Sequence, residues 1–365
     1  MEGPFCPLIT KSRIYIDLTE PDKYAENFER LLRWIFDKPL YVRPELGDAP
    51  AFLSDGDHIS LGTTVIFKRC VDAITNRKDY ASGTFDEYCD LFIANLERFR
   101  ISKQGEFDEQ VVRSIEEFLS SRNEAIRLFV TIARYSPDQQ YIQRIHRLFE
   151  QLIPYMSKPE NVMQWNDADF DNFRFIVHEL FLYVLAILLS HDRLDQANHL
   201  LQQQYYVPGN AQFGLDVMVT FTVFCNHIRS LEHRNQRLSL QRTSMQADLL
   251  KERCAGSGID FRYLMQADFI AFMRSEVIAV TDNLQWWPET LIYLGHFKNP
   301  FEIFARSVSK AYFDRAKILL GIQNPNDLEP LFEKYRQGKR RLPRIGWHML
   351  EPQPLLGYAA LGTRA

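Results

Sequence analysis

The chain has 365 residues, of which 46% are hydrophobic and 25% charged, and its formal net charge at pH 7 is −4. These values match globular proteins and exclude wholesale disorder, while the small net charge excludes an overall field strong enough to attract nucleic acid or an anionic membrane. Five scattered cysteines without a CxxC pair indicate neither a disulfide framework nor a zinc site. The start, Met1-Glu2-Gly3-Pro4, lacks the basic and apolar regions of a secretory signal, so we expect a cytoplasmic protein.

One strand and one helix are predicted near the start. In residues 13–18, RIYIDL, apolar and polar side chains alternate as in a strand with one buried face. Residues 19–22, TEPD, favour a helix start, and apolar residues then recur at helical spacing over 24–36. Residues 37–54 contain three prolines and a glycine, which predicts an extended linker.

Helical periodicities dominate from residue 56 onward, and nothing there alternates strands with helices as a parallel sheet requires. The predicted helices cover residues 63–76, 84–99, 107–120, 122–135, 138–155, 168–190, 193–205, 211–232, 243–254, 260–281, 287–295, 299–306, 309–320 and 326–337.

The helices predicted at 168–190 and 193–205 form a hairpin that resembles one unit of a helical-repeat array. The apolar run 180–189 is too short to span a bilayer, which indicates a core helix. Without a fixed repeat period an irregular bundle is favoured over a solenoid. We therefore predict a mainly α protein, an irregular multi-helix bundle or helical-repeat-like body with a short N-terminal strand and helix. Its predicted domains are 1–55, an all-helical 56–342, and an extended C-terminal tail, 343–365.

The first fifty-five residues resemble part of a known family. RIYIDL at 13–18, the helix 24–36 with its LLRWIF ending, and the KPL exit that continues through Leu53 occur together in order. They look like the closing strand, last helix and exit linker of bacterial TIR-type domains, including their SEFIR-like relatives. In many such proteins a helical region follows.

The resemblance implies a flavodoxin-like α/β domain that either signals by self-association or cleaves NAD at its glycosidic bond. Family members that hydrolyse NAD use a glutamate on a helix well upstream of the last strand, whereas only residues 1–12 precede the matching strand here. We therefore expect the catalytic half to be absent, and assign Glu26 and Glu29 to solvated faces of the last helix. The strand at 13–18 should lack its usual parallel neighbours.

A search for local chemistry gives no catalytic residue. Neither GxxxxGK[ST] nor GxGxxG occurs, so no phosphate-cradling loop is predicted. Ser307 and Lys310 match SxxK, but its companion motifs are missing. His178, His191 and His199 could approach one another across the hairpin, although structural or surface roles are favoured. We predict no cofactor and no metal site, with NAD a substrate only if a complete TIR domain is present.

Basic residues cluster after the last predicted helix, where clustered charge can bind phosphates by releasing counterions. A solvated turn, or pairing with nearby acidic residues, is the alternative. The predicted phosphate or nucleic-acid contacts are Lys339, Arg340, Arg341 and Arg344, with Lys334 and Arg336 beside them. A weaker basic face comprises Arg229, His233, Arg234, Arg237 and Arg242.

Three functions follow from these features. The leading hypothesis is a non-catalytic helical interaction or sensing module of a bacterial TIR-type defence or stress-signalling protein, with a protein partner or self-association. The second is the C-terminal part of a TIR-domain NAD hydrolase. The third is a helical nucleic-acid-binding protein. No membrane association is expected.

The first prediction concerns NAD. Incubated with the 365-residue chain alone, NAD should remain intact, because the family's catalytic glutamate has no counterpart at a matching position. Chromatographic measurement of nicotinamide release tests this, with a TIR-type NAD hydrolase as the positive control. Turnover by the chain alone would overturn the leading hypothesis.

Overall fold

Helices dominate the residues that the computed structural model describes, which are 62–101, 105–158, 165–281, 285–295, 299–345 and 348–365. They belong to a unit that runs from Leu61 to Ala365. The prediction of a mainly α multi-helix body is confirmed. The strand, helix and linker predicted within residues 13–54, and with them the TIR-like segment, lie outside the described residues.

Most α-helices begin and end within a few residues of the predicted limits. In chain order they are α1 Thr64–Thr75, α2 Ala81–Ala94, α3 Phe107–Glu117, α4 Leu119–Tyr135, α5 Gln139–Leu152, α6 Asp171–Ser190, α7 Leu194–Gln202, α8 Arg229–Arg237, α9 Met245–Cys254, α10 Phe261–Ile278, α11 Glu302–Arg306, α12 Lys310–Ala316, α13 Glu329–Arg336 and α14 Pro352–Leu356.

Two antiparallel pairs of two-residue strands complete the regular structure, together with short 3-10 turns. The strands are β1 Tyr205–Tyr206 with β2 Met218–Val219, and β3 Arg344–Ile345 with β4 His348–Met349.

Helix α6 is the centre of the described fold. Every residue from Phe175 to Leu189 is buried, and the helix packs against α3, α4, α7 and α10. A helix that is apolar on all sides can be stable only when neighbours cover its whole surface. The stretch Asp167–Ser190 is long and apolar enough to cross a membrane, but 89% of its most apolar part is buried in the protein, as the sequence predicted for a core helix.

One carboxylate on α6 is enclosed by two arginines. Glu179 Oε1 accepts from Arg122 Nη1 of α4 at 3.0 Å, and both Glu179 oxygens accept from Arg253 of α9, at 2.9 and 2.8 Å. Burial raises the pKa of Glu179, but pairing with Arg253 and Arg122 more than offsets this and leaves the pKa below its usual value. The carboxylate is therefore charged, and it joins three helices in the core.

The single helix predicted at 211–232 is wrong. The structure has 3-10 turns at Pro208–Phe213 and Phe221–Phe224 on either side of β2, and α8 begins only at Arg229. Gly214 is left-handed, with φ +66°, which breaks a helix, and the β-branched residues that follow it favour extended backbone. The buried Phe221 and Phe224 are three residues apart, a spacing that is also typical of a helix.

The C-terminal residues 343–365 form β3, β4, α14 and a final turn. Leu355 and Leu356 are buried, and the Leu355 carbonyl accepts from Phe301 N at 3.1 Å. The Ser307 carbonyl accepts from Gly362 N at 2.7 Å. The segment predicted as an extended tail is thus tied to α11 and α12 by backbone hydrogen bonds, and part of it is helical because Pro352 and Pro354 fall in a first helical turn.

The second prediction tests the core ion cluster. Glu179→Gln should lower the free energy of unfolding by about 3 to 5 kcal/mol, because Arg122 and Arg253 remain buried without a counter-charge. Urea denaturation measures the change. Glu87→Gln is the matched control: Glu87 pairs with Arg69 at 3.7 Å on the surface, and its loss should cost less than about 1 kcal/mol. Equal effects of the two changes would contradict a structural role for the cluster.

Candidate functional site

The structure separates Arg340 from the other basic residues of the predicted cluster. Its side chain is buried, its Nε and Nη2 donate to the Glu276 carboxylate at 2.5 and 2.7 Å, and its Nη1 donates to the Thr281 carbonyl at 3.0 Å. Tyr335 of α13 also donates to Glu276. The prediction of a phosphate contact is therefore wrong for Arg340. Its guanidinium pairs with Glu276 and so joins α10 to the segment after α13.

Lys339, Arg341 and Arg344 are exposed and form no salt bridge with a described residue, although Lys339 adds to the effect of Arg336 in lowering the pKa of Glu333. We call these three residues the basic segment. Arg336 differs, since it pairs with Glu329 and Glu333, both on α13. The structure thus leaves three of the four predicted contact residues available to a ligand.

An open groove of 660 Å³ lies between α13 and the C-terminal residues, and we call it the C-terminal groove. Its volume falls in the range of about 300 to 1,000 Å³ usual for ligand sites. Phe332, Tyr335 and Arg336 of α13 form one wall, and Pro352 and Tyr358 belong to the other. Most of the lining is apolar, so the groove suits an apolar or aromatic group.

The far wall of the groove depends on a glycine. Gly357 ends α14 in the left-handed region, with φ +56°, and a Cβ there would lie 2.8 Å from the ring of Pro300. The turn brings the Tyr358 ring edge-on to Phe332, with centroids 4.9 Å apart, while the Tyr358 hydroxyl donates to Glu329 at 3.1 Å. Both walls are therefore held by direct contacts between α13 and the C-terminal residues.

The basic segment leads into this groove. Arg341 directly precedes Leu342, a lining residue, and Arg344 pairs in the β3–β4 hairpin with Met349, two residues before the lining residue Glu351. Glu351 is the single carboxylate among the lining residues. An anionic group would consequently be favoured toward the basic segment, and an uncharged group inside the groove.

Comparison with known proteins finds no matching family model, no matching curated protein and no matching solved structure. The TIR resemblance therefore rests on the sequence of residues 13–53 alone.

Three arginines of the weaker basic face are paired with acidic side chains, whereas Arg229 is exposed. Arg237 pairs with Asp108 at 2.8 Å and Glu109 at 2.7 Å, at the N-terminus of α3, and Arg234 pairs with Glu109 at 2.5 Å. Arg242 pairs with Asp248. The Arg234 and Arg237 pairs join α8 to α3 and favour a structural role for these two residues.

The serine and lysine of the SxxK pattern have separate partners. Ser307 is buried and donates to the Ile303 carbonyl at 2.7 Å, whereas Lys310 is exposed and pairs with Asp314 at 3.1 Å. The lysine is therefore not placed to activate the serine.

The three histidines of the predicted hairpin lie in separate environments. His178 is buried against the Phe224 carbonyl, His191 contacts the Ile187 carbonyl, and His199 contacts Gln139. Within the described ranges, no group of three or more His, Cys, Asp or Glu side chains could hold a metal ion.

Two neighbouring acidic side chains, the buried Asp268 and the half-buried Glu289, were not foreseen from the sequence. Asp268 accepts from the Trp286 indole at 2.7 Å and from Thr290 N and Oγ1 at 2.8 Å, and Glu289 accepts from Ser244 Oγ at 2.6 Å. Burial raises the pKa of Asp268 to about 6 and that of Glu289 to about 7. Asp268 is buried and accepts three hydrogen bonds from Trp286 and Thr290, so we assign the pair a structural role.

The third prediction follows from these raised pKa values. The folded state holds protons on Asp268 and Glu289 that the unfolded chain releases, so their stabilisation is present at low pH and is lost as pH rises through about 6 to 7. Burial lowers the pKa of His178 from 6.5 to about 4. The contribution of His178 to the free energy of unfolding therefore rises, rather than falls, as pH increases between these two values. Glu289→Gln keeps an acceptor for Ser244 but removes one titrating group.

Between pH 5 and 8, the free energy of unfolding should therefore fall further in the native chain than in Glu289→Gln, by on the order of 1 to 3 kcal/mol. Urea denaturation across this range measures the difference. Glu106→Gln, at an exposed residue, is the control and should follow the native profile. Superimposable profiles for Glu289→Gln and the native chain would contradict the assignment.

Proposed function

We propose that this chain is a non-catalytic helical interaction module that binds an acidic protein segment at the C-terminal groove. We further propose that it works within a bacterial TIR-type defence or stress-signalling protein, which the sequence of residues 13–53 supports. The observation that carries the binding proposal is the pairing of an apolar groove with an adjacent, exposed basic segment that forms no salt bridge in the described part of the chain.

Charge supports an acidic ligand. Arg237 and Arg336 are paired with carboxylates, whereas the basic segment places three exposed cations without a salt bridge to a described residue within six positions. On a chain of net charge −4, such a local field selects and orients an anionic partner more than it adds affinity.

The groove itself must supply most of the affinity. Aromatic walls that bury an apolar anchor are the usual source of binding energy in peptide sites, and surface charges contribute less. Phe332 and Tyr358 are already packed against each other, so little ordering is needed on binding. We therefore infer a segment with an aromatic or aliphatic anchor flanked by Asp or Glu.

Nucleic-acid binding is the second candidate, favoured by the same basic segment. With Arg340 removed from the predicted set, three phosphate contacts remain, which gives a salt-dependence slope of only about −2 for a single strand. The remaining alternative, the C-terminal part of a TIR-domain NAD hydrolase, is compatible with the same groove as a partner site.

The fourth prediction separates these candidates by fluorescence anisotropy. The probes are a labelled peptide with a Trp-Leu anchor flanked by aspartates, the same peptide with lysines instead, and a single-stranded oligonucleotide. The full chain should bind the acidic peptide and not the basic one. The double change Lys339→Glu and Arg341→Glu should weaken binding at least about tenfold, because it reverses the charge of the basic segment.

Two further variants make the test specific. Ala359→Trp fills the groove from an exposed lining position and should abolish peptide binding. Lys68→Glu with Arg113→Glu makes the same charge change at exposed residues of α1 and α3 and should leave binding unchanged. Oligonucleotide binding that Ala359→Trp does not affect would favour the second candidate, and absence of peptide binding by the native chain would refute the proposal.

A further inference from the structure

A second cavity lies where the end of α1 and the start of α2 meet the turn between α4 and α5, and we call it the polar cavity. Its volume is 340 Å³, within the range of about 300 to 1,000 Å³ usual for small-molecule sites. Every lining residue other than Ala81 and Pro137 carries a polar side-chain group. The polar cavity shares no lining residue with the C-terminal groove, so the two are separate sites.

Two buried hydroxyl groups line the polar cavity. Ser136 is 8% exposed and Tyr141 4%, and neither hydroxyl forms a hydrogen bond with a described residue. Neither oxygen is enclosed in the core, so both are open to the cavity. Burial raises the pKa of Tyr141, which keeps its hydroxyl protonated and able to donate. Because buried polar groups are normally hydrogen-bonded, the missing acceptor must come from whatever occupies the cavity.

Two helix N-termini add backbone donors to the same cavity. Helices α2 and α5 have 14 residues each, and the residues before them, Tyr80 and Asp138, do not cap the first turn with their side chains. Ala81 of α2 and both Gln140 and Tyr141 of α5 line the cavity. The N–H groups of a first helical turn carry partial positive charge and favour an anion. The helix ends therefore reinforce the demand of the hydroxyls for an acceptor.

Arg77 supplies a cation to the polar cavity from a strained backbone. It has φ +51°, in the left-handed region that favours glycine. Its N–H donates to the Ile74 carbonyl at 3.2 Å and Lys78 N donates to the Ala73 carbonyl at 2.9 Å, which is the pattern that closes the end of a helix. Glycine is the usual residue at this point, so arginine has a conformational cost here. Arg77 is exposed and forms no salt bridge with a described residue that would offset this cost.

The remaining charges of the lining are one lysine and one carboxylate. Lys78 Nζ pairs with Asp72, outside the lining, at 2.5 Å, so Arg77 is the cation more available to a ligand. Asp138 is exposed, and its side chain makes no hydrogen bond to the first turn of α5. It can therefore turn toward solvent, whereas Ser136 and Tyr141 are fixed in the wall. Hydrogen-bond donors then dominate the interior of the cavity.

We propose that the polar cavity binds a phosphate group, either free phosphate or the monoester of a small metabolite. Arg77 supplies the charge-assisted contact, while Ser136, Tyr141 and the first turns of α2 and α5 donate the others. A phosphate monoester has three strong acceptor oxygens, enough for donors from several elements, whereas a carboxylate has two. A phosphate group fills only part of the cavity, which leaves room for a small organic group beside the exposed Tyr135.

The fifth prediction is tested by isothermal titration calorimetry of the full chain in buffer free of phosphate and sulfate. The probes are ribose 5-phosphate, inorganic phosphate and ribose. At least one phosphate probe should bind with a dissociation constant below about 1 mM, and ribose should not bind. Tighter binding of ribose 5-phosphate assigns the site to a monoester, whereas equal or tighter binding of inorganic phosphate assigns it to free phosphate.

Arg77→Gly separates binding from folding. It should weaken phosphate binding at least about tenfold, because the charge-assisted contact is lost. The free energy of unfolding in urea should stay equal or rise, because glycine adopts φ +51° without strain. Loss of binding in this variant therefore cannot result from unfolding.

Three further variants complete the test. Ser136→Ala and Tyr141→Phe each remove one hydroxyl and should weaken binding about threefold to tenfold. Arg113→Ala, at an exposed arginine of α3, is the control and should bind like the native chain. Absence of binding by both phosphate probes at about 10 mM, or equal binding by Arg77→Gly and the native chain, would overturn the proposal. Peptide binding at the C-terminal groove should be unchanged in Arg77→Gly, so the two sites can fail independently.

Discussion

The described fold depends on how one buried carboxylate is satisfied. Glu179 lies on the fully buried α6, and the guanidinium groups of Arg122 and Arg253 supply two positive charges to its one negative charge. Arg122 Nη1 also donates to Arg253 O at 2.7 Å, its Nη2 donates to Asn123 Oδ1 at 2.7 Å, and Arg253 Nη1 donates to Ile115 O at 2.9 Å. This network fixes the positions of α4 and α9 along α6, because a shift of either helix would leave a charge unpaired in the core. Apolar packing drives burial of α6, and the ion cluster fixes its register.

The helices themselves could be predicted from the sequence, since their periodicity is local. The pairing of Glu179 could not, because its partners are 57 and 74 residues away and nothing in the sequence distinguishes Arg122 or Arg253 from surface arginines. The same limit explains Arg340, which looks equivalent to its basic neighbours until Glu276, 64 residues earlier, is found beside it. The helix predicted at 211–232 failed for the opposite reason: Phe221 and Phe224 have helical spacing, but the local backbone around Gly214 does not permit a helix.

Part of the candidate site could be predicted from the sequence. Lys339, Arg341 and Arg344 are adjacent, so their charge could be recognised as a cluster. The groove beside them could not, because its walls come from α13 and from a segment some twenty residues later that folds back through the turn at Gly357. A proline-containing C-terminus predicts an extended chain when examined locally, whereas Leu355 and Leu356 provide buried contacts that make it part of the body.

The buried Arg340 and the exposed basic segment perform different tasks with similar residues. Arg340 and Tyr335 share the Glu276 carboxylate, and Tyr335 also lines the groove, so the end of α10 is linked to the groove wall through one carboxylate. A ligand that displaced Tyr335 would have to break a buried, charge-assisted hydrogen bond, which makes that wall rigid. Adaptation to a ligand must then come from the opposite wall, where Tyr358 is held by one edge-on ring contact and one exposed hydrogen bond. For the proposed peptide, selectivity for the apolar anchor should accordingly be set by α13, and the fit around it by the C-terminal residues.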